Sequence, residues 1–306
     1  MRVILAESAG FCYGVRRAVD LARQTAEETG RCWMLGDLIH NTHVVEALKR
    51  AGIQQTESID TLQPGDAVII RSHGEPKEIL DHLEAKGVRL VDATCPNVRR
   101  IQNLVAEAEA EGRTPVIIGD AAHPEVVGIA SRCAHSLIFS GPEEVEVRLE
   151  KDPGLRETPL TVVAQTTCIR ELFETSWKIV KKECTNAKKF DTICTATHKR
   201  QSEAAILAAK ADVMVVVGDR KSANTKHLTE ICKESCSRVI QIENADELPP
   251  DFFSGCSVAG LTAGASTPAG IIKEVYAAMS EEIKTMENNE ESFEELLNQS
   301  FKTLNT

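Results

Sequence analysis

The sequence contains a threefold repeat that is anchored by cysteines. Cys12, Cys95 and Cys194 each follow a short apolar or β-branched run and precede a stretch with the helical spacing of apolar residues. A Gly-Asp pair stands 24 residues beyond each cysteine, at Gly36-Asp37, Gly119-Asp120 and Gly218-Asp219. Because the same distance separates the same residue types three times, the pattern favours a chain built from three similar units.

A further apolar run in each unit ends in small or polar residues. These ends are Ser72-His73-Gly74, Thr166-Thr167 and Gly264-Ala265-Ser266. The apolar runs are continuous rather than alternating, which is typical of parallel strands buried on both faces. Parallel sheets collect their ligand groups at the carboxyl ends of the strands. The pattern predicts an α/β fold of three similar units with small, mostly parallel sheets around a pseudo-threefold axis. The alternative is a single doubly wound domain.

The repeat also predicts where the units begin and end. We expect a first unit over residues 1–96, a second over 97–194 and a third over 195–281. The helices of the first two units are predicted to end at Gly30 and Gly112, since glycine commonly terminates helices. Residues 282–306 are rich in Glu and Asn, which indicates an acidic tail or a polar linker.

Composition argues against several classes of protein. The net charge of -11 argues against a nucleic-acid surface in this region, because phosphate neutralisation requires clustered Lys and Arg. The N-terminus has no features of a secretion signal, and no apolar run is long enough to span a bilayer. We therefore expect a cytoplasmic protein without membrane contact. In that compartment thiols stay reduced, so the ten cysteines are not expected to form a framework of disulfides. Metal binding explains the three repeated cysteines better than disulfide formation does.

Three thiolates at equivalent positions suit a metal site. Soft sulfur ligands narrow the choice to zinc, copper(I) or an iron-sulfur cluster. Structural zinc usually has four ligands in C-x-x-C pairs, which these cysteines lack. Three widely spaced ligands fit a four-iron cluster with one open iron, although four cysteines are the usual set. Packing roles are assigned to the cysteines outside the repeat: Cys32, Cys133, Cys168, Cys184, Cys232, Cys236 and Cys256.

The later positions of the units supply hydrogen-bond donors. They are His40, His73, His123, Thr166, Thr167, Ser222, Asn224 and Ser266. Such donors, with backbone N–H groups at helix starts, are suited to binding a diphosphate. Glu125 lies two residues beyond His123, and a glutamate beside an anion has its pKa raised, which suits a general acid. Alternatively, Glu125 is an ordinary first-turn glutamate, since Pro124 is typical of a first helical residue.

Six segments of the chain carry a family resemblance. They are Gly10–Arg16, Asp92–Pro96, His123–Glu125, Gln165–Thr167, Ile193–Thr197 and Thr262–Ser266. In this order they resemble the 4-hydroxy-3-methylbut-2-enyl diphosphate reductase family, over nearly all of residues 1–281. The resemblance implies a [4Fe-4S] cluster with one open iron, held by Cys12, Cys95 and Cys194 in a central cavity between three α/β domains.

The resemblance also implies a reaction. The family reduces its substrate with two electrons and two protons in the last step of the methylerythritol phosphate route to isoprenoids. It releases the hydroxyl as water and forms isopentenyl and dimethylallyl diphosphates, with electrons from a ferredoxin or a flavodoxin. The substrate hydroxyl would bind the open iron, and Glu125 with Thr166 would relay a proton. The residues implied to hold the diphosphate are His40, His73, His123, Ser222, Asn224 and Ser266.

One position departs from the family pattern. Ala223 stands where the family commonly has a second serine, so its backbone N–H would take over that diphosphate contact, or the affinity would be weaker. Residues 282–306 resemble the joint before an S1-type RNA-binding domain, which would make the natural chain longer; a frayed terminus is the alternative. Two other functions stay open: a cluster-dependent dehydratase without net reduction, and an iron-sulfur sensor that has no need of Glu125.

Overall fold

Alternating strands and helices make up the chain. The structure, a computed structural model, describes residues 1–30, 32–249 and 251–280. The strands within these residues are β1 (Arg2–Leu5), β2 (Cys32–Leu35), β3 (Ile53–Thr56), β4 (Ala67–Ile70), β5 (Arg89–Asp92), β6 (Thr114–Ile118), β7 (Leu137–Phe139), β8 (Leu160–Ala164), β9 (Ala187–Lys189), β10 (Val213–Val217), β11 (Val239–Ile242) and β12 (Val258–Ala263). The α-helices are α1 (Tyr13–Thr29), α2 (Thr42–Arg50), α3 (Lys77–Ala85), α4 (Pro96–Ala110), α5 (Pro124–Ala130), α6 (Pro142–Lys151), α7 (Arg170–Glu183), α8 (Thr195–Ala208), α9 (Ala223–Ser235) and α10 (Ala269–Met279).

The strands form three four-stranded sheets that share one plan. Their orders are β3-β2-β4-β5, β7-β6-β8-β9 and β11-β10-β12-β1, and every pairing is parallel. In each sheet the strand that precedes a repeated cysteine lies at the edge, next to the strand that ends in small or polar residues. The predicted α/β class with three similar parallel sheets is confirmed.

The described residues cluster into two compact modules. The terminal module comprises residues 1–16 and 39–50 together with the described residues from 195 onward, and it contains the sheet β11-β10-β12-β1. The central module comprises residues 17–38 and 51–194 and contains the other two sheets. The predicted unit boundaries and the pseudo-threefold axis stay predictions, and the tail over 282–306 lies outside the described residues.

The first strand of the chain pairs with the last one. Arg2 lies beside Val258, and Leu5 beside Leu261, in the parallel ladder between β1 and β12. Sequence patterns identify strands but not their partners, so the grouping of residues 1–96 did not anticipate this pairing. As a result, Cys12 is carried by the same sheet as the third repeat.

Both faces of the terminal sheet are covered by helices. Val213, Val215 and Val217 point into a core with α10, whereas Met214 and Val216 point into a second core with α8 and α9. Successive side chains of a strand face opposite sides, so a strand buried on both faces must be apolar throughout. This requirement explains the uninterrupted apolar runs of the sequence.

Two predicted helix ends agree with the structure, whereas the residues just before Cys194 differ from the prediction. Gly30 and Gly112 follow α1 and α4 with φ angles of +64° and +68°, as predicted for helix-ending glycines. The run before Cys194 was expected to be a strand, but β9 ends at Lys189. The Thr192 hydroxyl bonds both the N–H and the carbonyl of Ala164 at 2.7 Å, which replaces the strand ladder there. Among the described helices, none combines the length and apolarity needed to cross a bilayer.

Candidate functional site

Each repeated cysteine occupies the same local position. It stands immediately before a helix, at the start of α1, α4 and α8. Its backbone N–H donates to a carbonyl just beyond the neighbouring strand of its own sheet: Cys12 to Ala265 at 3.0 Å, Cys95 to Ser72 at 2.9 Å, Cys194 to Thr166 at 3.0 Å. The repeat inferred from spacing therefore has a matching hydrogen bond at each of its three sites.

The three repeated cysteines differ in exposure from most of the others. None of the ten cysteines, all of which lie in the described residues, forms a disulfide, and the three in the repeat are half-buried. Burial raises the pKa of Cys168 to about 12 and that of Cys232 to about 12, which disfavours the thiolate that a metal requires. Accessible sulfur atoms at helix N-termini, where negative charge is stabilised, fit a metal-sulfur cluster.

A buried arginine fixes the loop that bears Cys12. Arg200 of α8 is 3% exposed, and its Nε donates to the Ser8 carbonyl at 3.0 Å. Its Nη2 donates to the Gly10 carbonyl at 2.7 Å. Gly10 has a φ of +102°, and a Cβ there would lie 3.2 Å from the Ile272 side chain, so the turn depends on glycine. The guanidinium holds this turn in place just before the cysteine.

Two further arginines do the same for the other cysteine loops. Arg17 of α1 donates to the carbonyls of Asp92 at 3.2 Å and Thr94 at 3.4 Å, next to Cys95. Arg100 of α4 approaches the Asp191 carbonyl at 3.5 Å, shortly before Cys194. Each helix that follows a repeated cysteine thus carries an arginine directed at the loop before another one. None of these three arginines was predicted to have this role.

The start of α9 carries three of the predicted diphosphate residues. Ser222 caps the helix by accepting a hydrogen bond from the Thr225 N–H at 3.4 Å. Ala223 is the first helical residue, so its N–H is among the groups that a helix start leaves for a ligand. Asn224 is 4% exposed, and neither of its side-chain amide atoms has a hydrogen-bond partner.

An unpartnered buried amide requires an explanation. Leaving such a group without a partner costs about 1–3 kcal/mol. Nearly all buried polar groups in proteins are satisfied, so an exception at a helix start indicates a site for a polar ligand. The unpartnered amide is compatible with the diphosphate contact predicted for Asn224, which stays a prediction.

Ser266 and His40 meet within the terminal module. The Ser266 hydroxyl donates to the backbone carbonyl of His40 at 2.8 Å. Two residues later, the N–H and the hydroxyl of Thr42 both donate to the Asp219 carboxylate at 3.1 Å. Asp219 thus caps α2 and fixes the segment after His40. In this module the repeated aspartate thus holds the backbone in place.

Glu125 is a buried carboxyl in the central module. It is 2% exposed, and it accepts hydrogen bonds from the Thr166 N–H at 2.6 Å and the Thr166 hydroxyl at 2.7 Å. Burial raises the pKa of Glu125 above 4.5, against the lowering effect of the two bonds from Thr166. The neutral acid is therefore favoured here, which is the form that a proton donor needs.

Two histidine rings pack together at the start of α5. His123 caps α5, and its Nδ1 accepts a hydrogen bond from the Glu125 N–H at 3.1 Å. A neutral His123 ring therefore carries its proton on Nε2 and is a donor there. The His73 ring packs edge to face on His123, with centroids 5.5 Å apart. Pro124 is the first residue of α5, as predicted.

The Thr167 hydroxyl is hydrogen-bonded by Gln165, a residue to which the sequence analysis assigned no role of its own. Gln165 donates from Nε2 to the Thr167 hydroxyl at 3.0 Å and accepts from the Asp120 N–H at 3.1 Å. Gln165 is 1% exposed and joins the end of β8 to the end of β6. The central module thus brings together His73, His123, Glu125, Thr166 and Thr167 with Cys95 and Cys194, and the terminal module holds Cys12, His40, Ser222, Ala223, Asn224 and Ser266.

Comparison with known proteins identifies the family. The family model described as LytB protein matches residues 3–280, which is most of the chain. The chain belongs to the LytB family. The resemblance drawn from the sequence motifs is therefore confirmed.

Named relatives of the family match the chain over its length. A 4-hydroxy-3-methylbut-2-enyl diphosphate reductase of Caldanaerobacter subterraneus is 39% identical over 297 residues, which are 95% of this chain and 100% of the relative. The enzyme of the same name from Clostridium tetani is 42% identical over 300 residues, and there the match spans 46% of the relative. The clostridial relative is thus about twice as long as the matched region.

Solved structures agree with the fold. A structure of (E)-4-hydroxy-3-methyl-but-2-enyl diphosphate reductase is 37% identical, covers 90% of this chain and 98% of its own, and has a TM-score of 0.66. A reductase structure from Plasmodium falciparum has a TM-score of 0.85 at 24% identity, with 90% of this chain and 86% of that chain covered. The second likeness supports the α/β fold alone.

Proposed function

We propose that the chain is a 4-hydroxy-3-methylbut-2-enyl diphosphate reductase that forms isopentenyl and dimethylallyl diphosphates. The observation that carries the proposal is the buried Glu125 carboxyl, held by two hydrogen bonds from Thr166, in a member of the LytB family. The names of the relatives support the same reaction. The reaction consumes two electrons and two protons and releases the hydroxyl as water.

Cys12, Cys95 and Cys194 are the proposed ligands of a [4Fe-4S] cluster with one open iron. Their partial exposure, their matching backbone hydrogen bonds and the soft donor set support this assignment. When bound, the cluster would supply the electrons and a Lewis-acid iron for the substrate hydroxyl. The remaining cysteines are proposed to serve packing, in agreement with the burial of most of them.

The diphosphate is proposed to bind the hydrogen-bond donors that the sequence predicted. Helix α9 contributes the Asn224 amide and its first backbone N–H groups, and Ser222 and Ser266 contribute hydroxyls. His40, His73 and His123 contribute imidazole donors, and Thr167 a hydroxyl. The N-terminus of α9 favours an anion, so it suits phosphate oxygens even with Ala223 in place of a serine.

Glu125 is the proposed source of protons. Burial raises the pKa of its carboxyl, which favours the protonated form that a proton donor needs. The Thr166 hydroxyl, at 2.7 Å from the carboxyl, is placed to pass that proton on. One proton leaves with the hydroxyl oxygen as water, and the other is bound to carbon in the product.

The electron donor is proposed to be an acidic protein of the ferredoxin or flavodoxin type. Arg100 is exposed on the first turns of α4, shortly after Cys95, and its side chain contacts a backbone carbonyl rather than a carboxylate, so it offers a complementary positive charge. We place the reaction in the cytoplasm, because cysteines that form no disulfides in the described residues and a cluster with an open iron suit a reducing compartment.

Iron content provides the first test. We expect anaerobically purified protein to contain about four irons per chain and to absorb broadly near the blue end of the visible range. Replacement of Cys95 by Ser should remove most of the iron, whereas the same change at the buried Cys32 should not. A zinc-containing, iron-free protein would contradict the proposal.

Turnover provides the second part of that test. The protein is incubated anaerobically with 4-hydroxy-3-methylbut-2-enyl diphosphate, with and without a strong chemical reductant, and both isoprenoid diphosphates are measured. The proposal requires product only when the reductant is present. Consumption of the substrate without reductant would indicate a dehydratase, and no consumption under either condition would favour a sensor.

Asn224 permits a test in which stability and binding change in opposite directions. In Asn224→Leu we expect the free energy of unfolding to stay unchanged or rise by about 1–3 kcal/mol, because an unsatisfied buried amide is removed. The KM for the diphosphate should rise about 10- to 100-fold, since a hydrogen bond to a charged group is lost. Denaturant unfolding and steady-state kinetics measure the two effects.

A matched control for this variant lies in the same module. Asn41 is 3% exposed, and its side-chain oxygen accepts a hydrogen bond from the Val44 N–H at 3.0 Å at the start of α2. Asn41→Leu should therefore lower the free energy of unfolding by about 0.5–2 kcal/mol. An equal loss of stability in both variants would show that the Asn224 amide is satisfied within the protein.

A further inference from the structure

Asn97 makes a direct contact with one of the proposed cluster ligands. It is the second residue of α4, two positions after Cys95. Its Nδ2 donates to the Sγ of Cys194 at 3.1 Å. Both residues belong to the central module. The contact thus joins helix α4, which follows Cys95, to the next repeated cysteine, Cys194.

The equivalent positions of the other repeats cannot make this contact. Gly14 lies two residues after Cys12, and Ala196 lies two residues after Cys194. Neither residue has a polar side chain. The Cys12 sulfur instead has the backbone N–H of Val15 at 3.5 Å, a longer contact from within its own helix. The hydrogen bond from Asn97 to the Cys194 sulfur is therefore a contact that the equivalent positions of the other two repeats do not reproduce.

We infer that Asn97 is a positioning residue that orients the Cys194 thiolate and raises the reduction potential of the cluster. The inference rests on the proposed function, because it requires the cluster. A hydrogen bond to a thiolate sulfur stabilises negative charge, and charge-assisted bonds are stronger than neutral ones. Reduction adds one negative charge to the cluster, so the N–H group stabilises the reduced form more than the oxidised form.

The contact acts on one ligand of the proposed cluster. A hydrogen bond to the sulfur draws electron density away from it, so the Cys194 thiolate would donate less strongly to the metal that it binds. Because Asn97 is exposed, its substitution leaves the core of the central module intact. The effect on the cluster can therefore be measured without a large effect on folding.

The test is a reductive titration of the iron-loaded protein, followed by electron paramagnetic resonance. In Asn97→Leu we expect the midpoint potential to become more negative. A tenfold change in the ratio of reduced to oxidised cluster at fixed potential is about 59 mV for a one-electron couple. The matched control is Asn103→Leu on the same helix, where the exposed amide has no hydrogen bond to sulfur in the described residues.

Several results would overturn the inference. An unchanged midpoint potential in Asn97→Leu would do so, as would an equal shift in the control variant. If the leucine variant fails to retain iron, Asn97→Asp is titrated instead. Its carboxylate keeps the size of the side chain and replaces the donor by a negative charge, so the potential must also fall. An iron-free wild-type protein would refute the proposed function itself, which the iron assay detects separately.

Discussion

Glu125→Gln should retain the fold and the cluster and lose turnover by a factor of about 10²–10⁴, the usual contribution of a general acid. The glutamine oxygen still accepts from the Thr166 N–H, and its amide can donate to the Thr166 hydroxyl. The contacts of the carboxyl are thus kept while the titratable proton is removed. Iron content, the visible spectrum and single-turnover assays under strong reductant measure the three quantities.

The pH dependence of this residue has a definite sign. Its pKa in the folded protein is raised above 4.5, so the carboxyl opposes folding increasingly as the pH rises from about 4.5 through the folded-state pKa. The unfolding free energy of Glu125→Gln should therefore fall less over that range than that of the wild type. Wild-type turnover should decline on the alkaline side, where the acid loses its proton.

A control separates catalysis from an ordinary helix-start effect. Glu143 follows Pro142 at the start of α6, just as Glu125 follows Pro124 at the start of α5, but Glu143 is exposed. Glu143→Gln should leave turnover within a factor of two or so of the wild type, as for most exposed substitutions. Equal effects at both positions, or unchanged turnover in Glu125→Gln, would refute the proton-donor role.

Arg200→Leu should lower the free energy of unfolding by about 2–4 kcal/mol. The variant should also lose most of its bound iron. The carbonyls of Ser8 and Gly10 lose their charged donor, and each unsatisfied buried group costs about 1–3 kcal/mol. Without that donor, the turn before Cys12 is no longer fixed. Denaturant unfolding measures the first loss, and iron per chain after anaerobic gel filtration measures the second.

The terminal module offers a matched control for this change. Arg220 also makes two hydrogen bonds, both to Glu247, but its side chain is 57% exposed. Because exposed ion pairs contribute about 0–1 kcal/mol, Arg220→Leu should change little in either measurement. If Arg200→Leu keeps its iron as well as the Arg220 variant does, the guanidinium does not position the cysteine.

Much of the fold could be predicted because parallel strands buried on both faces leave a direct mark on the sequence. The runs at Val116–Ile118 and Val213–Val217 are apolar at every position, and both are central strands. Pairing partners leave no such mark. The edge position of β1 beside β12 depends on contacts between residues more than 250 positions apart, which periodicity does not report.

The candidate site was predicted in its residue types but not in its supporting contacts. Cysteines, histidines and Glu125 stood out because their chemistry is unusual at strand ends. Arg200 was missed as a positioning group because a charged side chain in a helix is ordinarily exposed. A signal was present, since Arg200, Ala204 and Leu207 follow the spacing of a buried helical face. The unpartnered amide of Asn224 depends on its surroundings, which sequence alone does not reveal.

The pairing of β1 with β12 determines when the N-terminal cysteine can be held in place during synthesis. The loop of Cys12 is fixed by Arg200 and by the carbonyl of Ala265. Both residues are synthesised long after Cys12. The loops before Cys95 and Cys194 are held by Arg17 and Arg100, which are synthesised before the cysteines themselves. Contacts that close such long loops form late, so the nascent chain has two ordered cysteine loops before it has three. With Cys12 as a proposed ligand, we expect cluster insertion to follow the completion of residues 258–265, which contain the strand and the carbonyl that hold its loop.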